Sequence, residues 1–242
     1  MLAAFVAAAV FAALPAHQSP LVRLMSAAEP VYCGGTRGGA FALTFDDGPS
    51  PYTPALVRVL RHVHARATFF DVGSRVLIWP AAARASSRVG DVENHTWSHP
   101  HLPSLRARDA AREILRTQRA VERVVGHTPR LFRPPYAEAQ PADERLARTI
   151  GLVDVRWSVD GGDARLDARA RRVARTSIAG LRSGAIVLLH DAHPWTAVVA
   201  RRILRVALRR GLRPVTVEEL LTHQPPSARQ RASTGTARCP PP

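Results

Sequence analysis

The feature that most constrains the fold is a repeated alternation of short apolar runs with amphipathic segments. The short runs have the length of strands, and the amphipathic segments place apolar residues three and four positions apart, as helices packed on one face do. Repeated strand–helix units predict a parallel sheet, because parallel strands need a crossover connection. The predicted strands are 41–45, 67–72, 91–94, 131–133, 152–157, 185–190 and 212–215.

Helices are expected between these strands, at 53–65, 80–87, 104–126, 143–150, 166–182 and 195–210, with a last one after 216. Thr53 and Ser104 are the predicted N-caps of the first and third, and Thr216 with Glu219 has the spacing of a capping box. This many units predict an α/β fold, a distorted or incomplete (β/α) barrel, with a doubly wound open sheet as the alternative. In a barrel, functional residues should follow the strands directly.

The two ends of the chain differ in composition from the part between them. Residues 2–14 are all apolar, which predicts a signal peptide or an N-terminal anchor, and small residues at Ala16 and at 26–28 offer cleavage sites. We therefore expect residues 1–37 to be leader and linker, 38–222 the catalytic domain, and 223–242 a disordered tail. Export to the cell surface or medium would also allow Cys33 and Cys239 to pair.

The formal net charge of +15 invites a comparison with nucleic-acid-binding proteins. All 34 basic residues are arginine, spread along the chain, as a GC-rich genome would produce without selection for charge. We therefore expect no nucleic-acid partner. Association with a membrane or an anionic wall polymer, through the N-terminus and the basic surface, is the milder expectation. We expect the protein to be a monomer.

Two acids and two histidines suggest a metal site. Asp46 and Asp47 end the first strand, and because successive strand residues point opposite ways, one could bind a metal while the other approaches a substrate. His95 and His99 are four apart, which on a helical turn places both imidazoles on one face. Two histidines and one aspartate leave a coordination position open, as catalytic zinc sites do. Solvated acids in an Asp-Gly turn and a structural histidine pair are the alternatives.

Three further segments carry candidate groups. Arg133 ends a strand before two prolines, where it could pair with a buried aspartate, and the stiff turn could aim the backbone N–H of Tyr136 at an oxyanion. The segment "WSVDGGDAR" supplies Asp160 and Asp163. His190 ends an apolar strand and is a candidate general acid, with a structural histidine as the alternative.

Five motifs occur in order, "TFDDGPS", "HTWSHPHL", "RPPY", "WSVDGGDA" and "IVLLHD", with "RATFFDVGSRV" between the first two. Together they resemble the polysaccharide deacetylases with the NodB homology domain, carbohydrate esterase family four. The resemblance implies a NodB-type distorted barrel and a site for Zn²⁺, or another divalent transition metal such as Co²⁺. It implies Asp47, His95 and His99 as metal ligands, and Asp46 as the general base tethered by Arg133.

The same resemblance implies the other half of the site. His190 matches the family's general acid, and Asp163 the aspartate that tunes it. Tyr136 supplies the oxyanion N–H, Leu188 lines the acetyl pocket, and Pro135 adjoins the substrate. His101 lies outside the pattern and is interpreted as a rim or structural residue.

The expected activity is removal of N-acetyl groups from N-acetylglucosamine in peptidoglycan or a chitin-like polymer. An O-acetyl esterase on acetylxylan and a zinc-containing, wall-binding pseudoenzyme are the alternatives. Two departures from the family pattern bear on this choice. Ala164 stands where the family usually has tryptophan, and this replacement removes an apolar wall of the acetyl pocket. Ala137-Glu138 follows "RPPY", where the family commonly has glycine.

Overall fold

The computed structural model describes residues 19–27 and 29–232, in which parallel strands form one curled, eight-stranded sheet. The strands are β1 (Ala40–Gly48), β2 (Ala67–Asp71), β3 (Gly90–Asn94), β4 (Leu131–Phe132), β5 (Val153–Asp154), β6 (Val159–Asp160), β7 (Ile186–His190) and β8 (Arg213–Val215). Their order is β5-β4-β3-β2-β1-β7-β6, with β8 also paired to β1. No pairing within this order joins β5 to β6, so the predicted incomplete barrel is confirmed.

Helices cover the outside of the sheet. They are α1 (Pro20–Ala27), α2 (Thr53–His62), α3 (Gly73–Ile78), α4 (Pro80–Ser86), α5 (Ala107–Val125), α6 (Pro141–Thr149), α7 (Ala170–Ala179), α8 (Thr196–Arg209), α9 (Val217–His223) and α10 (Ala228–Ala232). Short 3₁₀ turns occupy Leu102–Ser104 and Pro135–Ala137. No helix within 19–27 and 29–232 is both long and apolar enough to cross a membrane.

Strand β1 lies at the centre of the core, between β2 and β7. Its side chains alternate, so Phe41, Leu43 and Phe45 pack in the larger apolar cluster, while Ala40 and Ala42 belong to the cluster on the other face. Burying each large apolar side chain contributes about 1.5–3 kcal/mol. This packing fixes the end of β1, where the paired aspartates lie.

The predicted helix ends are only partly right. The capping box of Thr216 and Glu219 is confirmed at α9. Tyr52 is the N-cap of α2, because the Thr53 hydroxyl is used elsewhere, in bonds with Ser50 and Asp191. Helix α5 starts after Arg106, since Ser104 belongs to the preceding 3₁₀ turn.

The folded unit begins before the predicted boundary at residue 38. Helix α1 buries Leu21 and Leu24 in the same cluster as Val31, and Val31 bridges to Val155 beside the sheet. Leu21, Leu24 and Val31 therefore contribute to the core from within the segment predicted as leader and linker. The predicted export segment, 2–14, and its first cleavage site, Ala16, lie outside the described residues.

The end of the chain is also ordered beyond the predicted boundary. Gln224 is buried, and α10 contacts the N-terminal segment through a bond from the Gln230 amide to the carbonyl of Gly34. The described part of the predicted tail thus contains a helix, and the disorder expected for residues 223–242 stays a prediction. Cys33 is buried, while its predicted partner Cys239 lies outside the described residues.

Candidate active site

The candidate residues gather at the C-terminal ends of the strands. Asp46 and Asp47 lie at the end of β1, and His95 directly follows β3. Arg133 follows β4 and His190 is the last residue of β7. Four strands therefore deliver polar groups to one edge of the sheet, the arrangement expected of a (β/α) barrel.

Asp47, His95 and His99 converge on one point. Asp47 Oδ1 lies 3.5 Å from His95 Nε2 and 3.2 Å from His99 Nε2. The three ligand atoms lie within 4.8 Å of one another. Asp47 Oδ1 is buried and has no hydrogen-bond partner among the described residues, so it is left with an unsatisfied acceptor that a cation would satisfy.

Backbone geometry explains how adjacent aspartates come to share the site. Asp47 has φ of 68°, and the pairing of β1 with β2 shifts register between Asp46 and Gly48. This irregularity breaks the strand alternation, so Asp46 Oδ2 also lies near His95 Nε2, at 3.9 Å. The two carboxylates therefore face one cavity, although the alternation of a regular strand would separate them.

The histidine pair is held by a loop. The sequence predicted a helical turn, but residues 95–101 form no helix, and Thr96 and His99 have positive φ of 63° and 60°. The backbone N–H of His99 donates to the Thr96 hydroxyl at 3.2 Å, which closes the loop. The two imidazole centroids are 4.9 Å apart. The four-residue spacing thus brings the rings of His95 and His99 together through a loop and not through the predicted helical turn.

The donor set fits a divalent metal ion. His95 Nδ1 lies 2.6 Å from the carbonyl oxygen of Arg133, so Nδ1 carries the proton and the Nε2 lone pair faces Asp47. Burial raises the pKa of Asp47, but the neighbouring imidazoles of His95, His190 and His99 bring it well below its ordinary value. Burial, followed by the charge of His95, lowers the pKa of His99. One carboxylate and two neutral imidazoles are the ligand types of catalytic zinc sites.

Arg133 holds Asp46 in place. Arg133 Nη1 donates to Asp46 Oδ1 at 2.6 Å and to Thr44 Oγ1 at 2.8 Å, and the guanidinium also donates to the carbonyls of Val155 and Arg156. The side chain is fully buried, so burial lowers the arginine pKa, and the charge of Asp46 opposes that shift. A fully bonded guanidinium leaves Asp46 Oδ2 directed towards the cavity.

His190 is paired with Asp163 on the opposite side. Its Nδ1 lies 2.8 Å from Asp163 Oδ1, and its backbone N–H donates to Oδ2 at 2.7 Å. Burial lowers the pKa of His190, but the hydrogen bond and charge of Asp163, with the charges of Asp46 and Asp47, raise it to about 9. At neutral pH the His190 ring is therefore the imidazolium form, protonated at both Nδ1 and Nε2.

The turn after Arg133 closes another wall. Tyr136 has φ of 57°, and Arg156 fastens the turn by donating to the carbonyl of Ala137. The Tyr136 ring packs edge-on against His99 at 4.7 Å and stacks on His101 at 3.8 Å, which places His101 at the rim. Pro135 is buried within the turn, whereas Pro134 lines the cavity.

The site opens into a cavity of about 790 Å³, whose lining includes Asp46, Asp47, His95, His99, Tyr136 and His190. Leu188 reaches it from β7, and the small residues Gly161, Gly162 and Ala164 form part of the wall. A cavity of this volume is in the usual range for ligand sites. Trp157 also lines the cavity, with its ring 5.7 Å from the Arg133 guanidinium. It was not predicted, although its position at the end of a predicted strand could have indicated it.

Beneath the aspartate pair lie two more acids that the sequence analysis did not single out. Asp71 is buried at the end of β2, and neither carboxylate oxygen has a hydrogen-bond partner among residues 19–27 and 29–232. Burial, and then repulsion by Asp191, raises its pKa well above the ordinary value. Burial raises the pKa of Asp191 to about 6, although hydrogen bonds from Thr53 and Ser50 oppose it. The "ATFFD" strand end was the available signal.

Comparison with known proteins gives consistent matches. The family profile described as polysaccharide deacetylase matches residues 34–155. The peptidoglycan-N-acetylglucosamine deacetylase PgdA of Listeria monocytogenes is 38% identical over 181 residues, covering 74% of this chain and 38% of that protein. The chain thus matches well under half of that relative's length. The chitooligosaccharide deacetylase of Bradyrhizobium sp. is 37% identical, covering 66% of this chain and 73% of that one.

A solved structure agrees with these matches. The family 4 carbohydrate esterase from Streptomyces lividans, in complex with acetate, superposes with a TM-score of 0.69 at 35% identity. The superposition covers 73% of this chain and 92% of that one.

Proposed function

The chain belongs to the polysaccharide deacetylase family, and we propose that it removes N-acetyl groups from N-acetylglucosamine residues of peptidoglycan or a chitin-like polymer. One observation supports this most strongly. The Asp47, His95 and His99 cluster lines the same cavity as Asp46 and His190, which are paired with the buried Arg133 and Asp163. Such a set provides a metal site, a base and an acid, the groups that amide hydrolysis requires.

Asp47, His95 and His99 would hold the metal, for which we propose Zn²⁺ or another divalent transition ion such as Co²⁺. When bound, the ion supplies Lewis acidity, which lowers the pKa of a water molecule and polarises the acyl carbonyl. The protein's contribution is to keep the three ligand atoms in position, through the bond from His95 Nδ1 to the Arg133 carbonyl and the bond from the His99 N–H to Thr96.

Asp46 acts as the general base. Arg133 occupies its Oδ1, so Oδ2 is the atom that accepts the proton of the attacking water. The guanidinium pairs with the Asp46 carboxylate, and the buried contacts of Arg133 prevent rotation. Orientation of this kind brings the water and the acyl carbon together without a further loss of entropy in the reaction step.

His190 acts as the general acid, and the turn at Tyr136 stabilises the oxyanion. The Nε2–H of His190 donates its proton to the departing amine, which leaves poorly as an anion. Asp163 fixes the tautomer by accepting from Nδ1. The backbone N–H of Tyr136, held by the 3₁₀ turn, supplies a hydrogen bond to the developing negative charge. Acetate and a free amine are the products.

The substrate class is supported by the relatives and by the cavity. The Listeria relative is named for peptidoglycan N-acetylglucosamine and the Bradyrhizobium relative for chitooligosaccharide. Leu188 and the small residues around Ala164 give the cavity an apolar side suited to an acyl methyl group. We also propose that the protein acts outside the cytoplasm, since the apolar run at 2–14 has the length of an export signal.

The test is acetate release, with metal content measured in parallel, from peptidoglycan, N-acetylglucosamine oligomers and acetylxylan. We expect acetate from at least one of the two N-acetylated substrates, and none after the metal has been removed by a chelator. Release from acetylxylan alone would favour an O-acetyl esterase. No release from any of the three, by protein with a filled metal site, would favour a wall-binding pseudoenzyme.

A further inference from the structure

Two neighbouring helices on the outside of the sheet carry an unusual concentration of positive charge. Helix α7 contains three arginines and α8 contains four, and neither helix contains an aspartate or a glutamate. The two helices pack against each other, and Arg210 joins their ends by donating to the carbonyl of Ile178 at 3.0 Å. The pair therefore forms a surface on which every ionised side chain has the same sign.

A groove runs between these helices. It has a volume of about 480 Å³ and is lined by Arg175 from α7 and by Arg202, Arg205 and Arg209 from α8, over an apolar floor that includes Val206. All four arginines are exposed. Within the part of the chain that the structure describes, none of them has a carboxylate within salt-bridge distance. We call this feature the α7–α8 groove.

The uncompensated charge distinguishes the groove from the arginines around the start of α5. There, Arg106 and Arg112 both pair with Asp109, at 2.8 and 3.1 Å. On α8, Arg205 is three positions from Arg202 and four from Arg209, spacings at which like charges destabilise a helix. A bound anion would remove this repulsion, whereas solvent alone leaves it in place.

The groove suits anions that present several oxygen atoms, phosphate among them. A guanidinium presents a rigid fork of N–H donors that matches the oxygen atoms of a phosphate group. Four such groups along a groove match a chain that repeats its negative charge. A flat bilayer cannot reach both walls of a concave groove. The groove has no aromatic side chain among its lining residues, whereas aromatic stacking contributes much of the binding to single-stranded nucleic acids.

We propose that the α7–α8 groove binds a linear, phosphodiester-linked polyanion that carries no nucleobases. Helix α7 also contributes Val173 and Thr176 to the wall of the active-site cavity, so such a chain would lie one helix width from the cavity. The proposal does not depend on the deacetylase assignment, because none of the groove arginines lines the active-site cavity. It assigns to the basic surface a specific binding site.

The test uses full-length protein and poly(glycerol phosphate) as the probe, with affinity measured by calorimetry at several salt concentrations. The groove variant is Arg202→Gln with Arg205→Gln. The matched control is Arg119→Gln with Arg123→Gln, two exposed arginines on α5 that remove the same charge from another face. We expect the control to bind as the wild type does. The groove variant should bind about tenfold more weakly, with a salt slope shallower by roughly 0.7 per lost arginine.

Three results would overturn the proposal: equal loss of affinity in both double variants, tighter groove-dependent binding of oligo(dT), or groove-dependent binding to phosphatidylglycerol vesicles with none to the polymer. Urea unfolding serves as the folding control, and the unfolding midpoints of the three proteins should be the same. A groove variant that kept this midpoint and the full affinity for the polymer would also exclude the groove.

Discussion

Arg133 Nη1 lies 2.6 Å from Asp46 Oδ1, and both side chains are buried beneath the cavity. The same guanidinium donates to the Thr44 hydroxyl and to the backbone carbonyls of Val155 and Arg156, which follow β5. Because the guanidinium is hydrogen-bonded on every side, it fixes the position of Asp46 through Oδ1 and leaves Oδ2 free to accept a proton. The pairing with Arg133 gives Asp46, the proposed base, a different role from Asp47, the proposed metal ligand, although the two aspartates are adjacent in the chain.

Asp46→Asn should abolish turnover while leaving metal binding intact. The amide cannot accept the proton of the attacking water, so we expect acetate release to fall by about 10²–10⁴-fold. Asp47, His95 and His99 remain in place. Acetate assays and metal analysis of the same preparation check both parts.

His95→Ala is the companion to that variant. It removes a ligand whose Nδ1 bond to the Arg133 carbonyl also fixes the loop, so both metal and activity should be lost. A His95→Ala protein that kept stoichiometric zinc would contradict the ligand assignment. Loss of zinc from Asp46→Asn would contradict the separation of roles.

Asp163→Asn should move the alkaline limb of the activity profile to lower pH. The proposed acid, His190, works when protonated, so activity falls as pH rises through its pKa. Removing the Asp163 charge lowers that pKa from its raised value of about 9. The pH dependence of kcat/KM for an N-acetylglucosamine oligomer measures the shift. An unmoved alkaline limb, with unchanged metal content, would show that His190 is not the titrating acid.

Glu93→Gln should flatten the dependence of stability on pH. Burial raises the pKa of Glu93 to about 7, and the hydrogen bond that His127 donates to Glu93 raises the pKa of His127. From about pH 4.5 to above 7, the folded protein therefore binds more protons than the unfolded chain, so wild-type stability should fall as pH rises through this window.

The side-chain amide oxygen introduced by Glu93→Gln can still accept from the backbone N–H groups of Arg130 and Leu131, as the carboxylate does. Urea unfolding at a series of pH values tests the prediction. Equal slopes of unfolding free energy against pH in the two proteins would show that the Glu93–His127 pair is not the source of the pH dependence of stability.

Gly90→Ala should destabilise the sheet. A Cβ at Gly90 would lie 1.8 Å from the carbonyl oxygen of Ala67, its partner on β2, and that backbone cannot move independently of the core. We expect a loss of about 1–3 kcal/mol of unfolding free energy, as for other forced insertions into packed interiors. Chemical denaturation measures it, and an unchanged midpoint would contradict the packing described.

Periodicity and strand ends allowed most of the fold to be predicted, because core packing imposes both patterns on the sequence. Strand β7 was recognisable from an unbroken apolar run, and α9 from its capping box. Helix α3 and strand β6 were not, since each is too short to show a period. The start of α2 was misplaced because the Thr53 hydroxyl bonds across the fold to Asp191, a contact that no local pattern reveals.

For the site, residue types were easier to predict than local geometry. Spacing brought out His95 and His99, yet a loop with two left-handed residues holds them in place of a helix. The shared direction of Asp46 and Asp47 depends on a register shift against β2, which is a property of the sheet and not of the chain. Trp157 was missed for a similar reason, because its role depends on the Arg133 guanidinium beside it.

Helix α1 determines where a shortened form of the protein could start. Leu21 and Leu24 fill the cluster beneath β5 and α9, so a protease cutting at 26–28 would remove two core side chains from the mature product. Processing near Ala16 would spare them. Recombinant versions trimmed to residue 38 should accordingly be poorly soluble, and versions beginning at residue 19 should not.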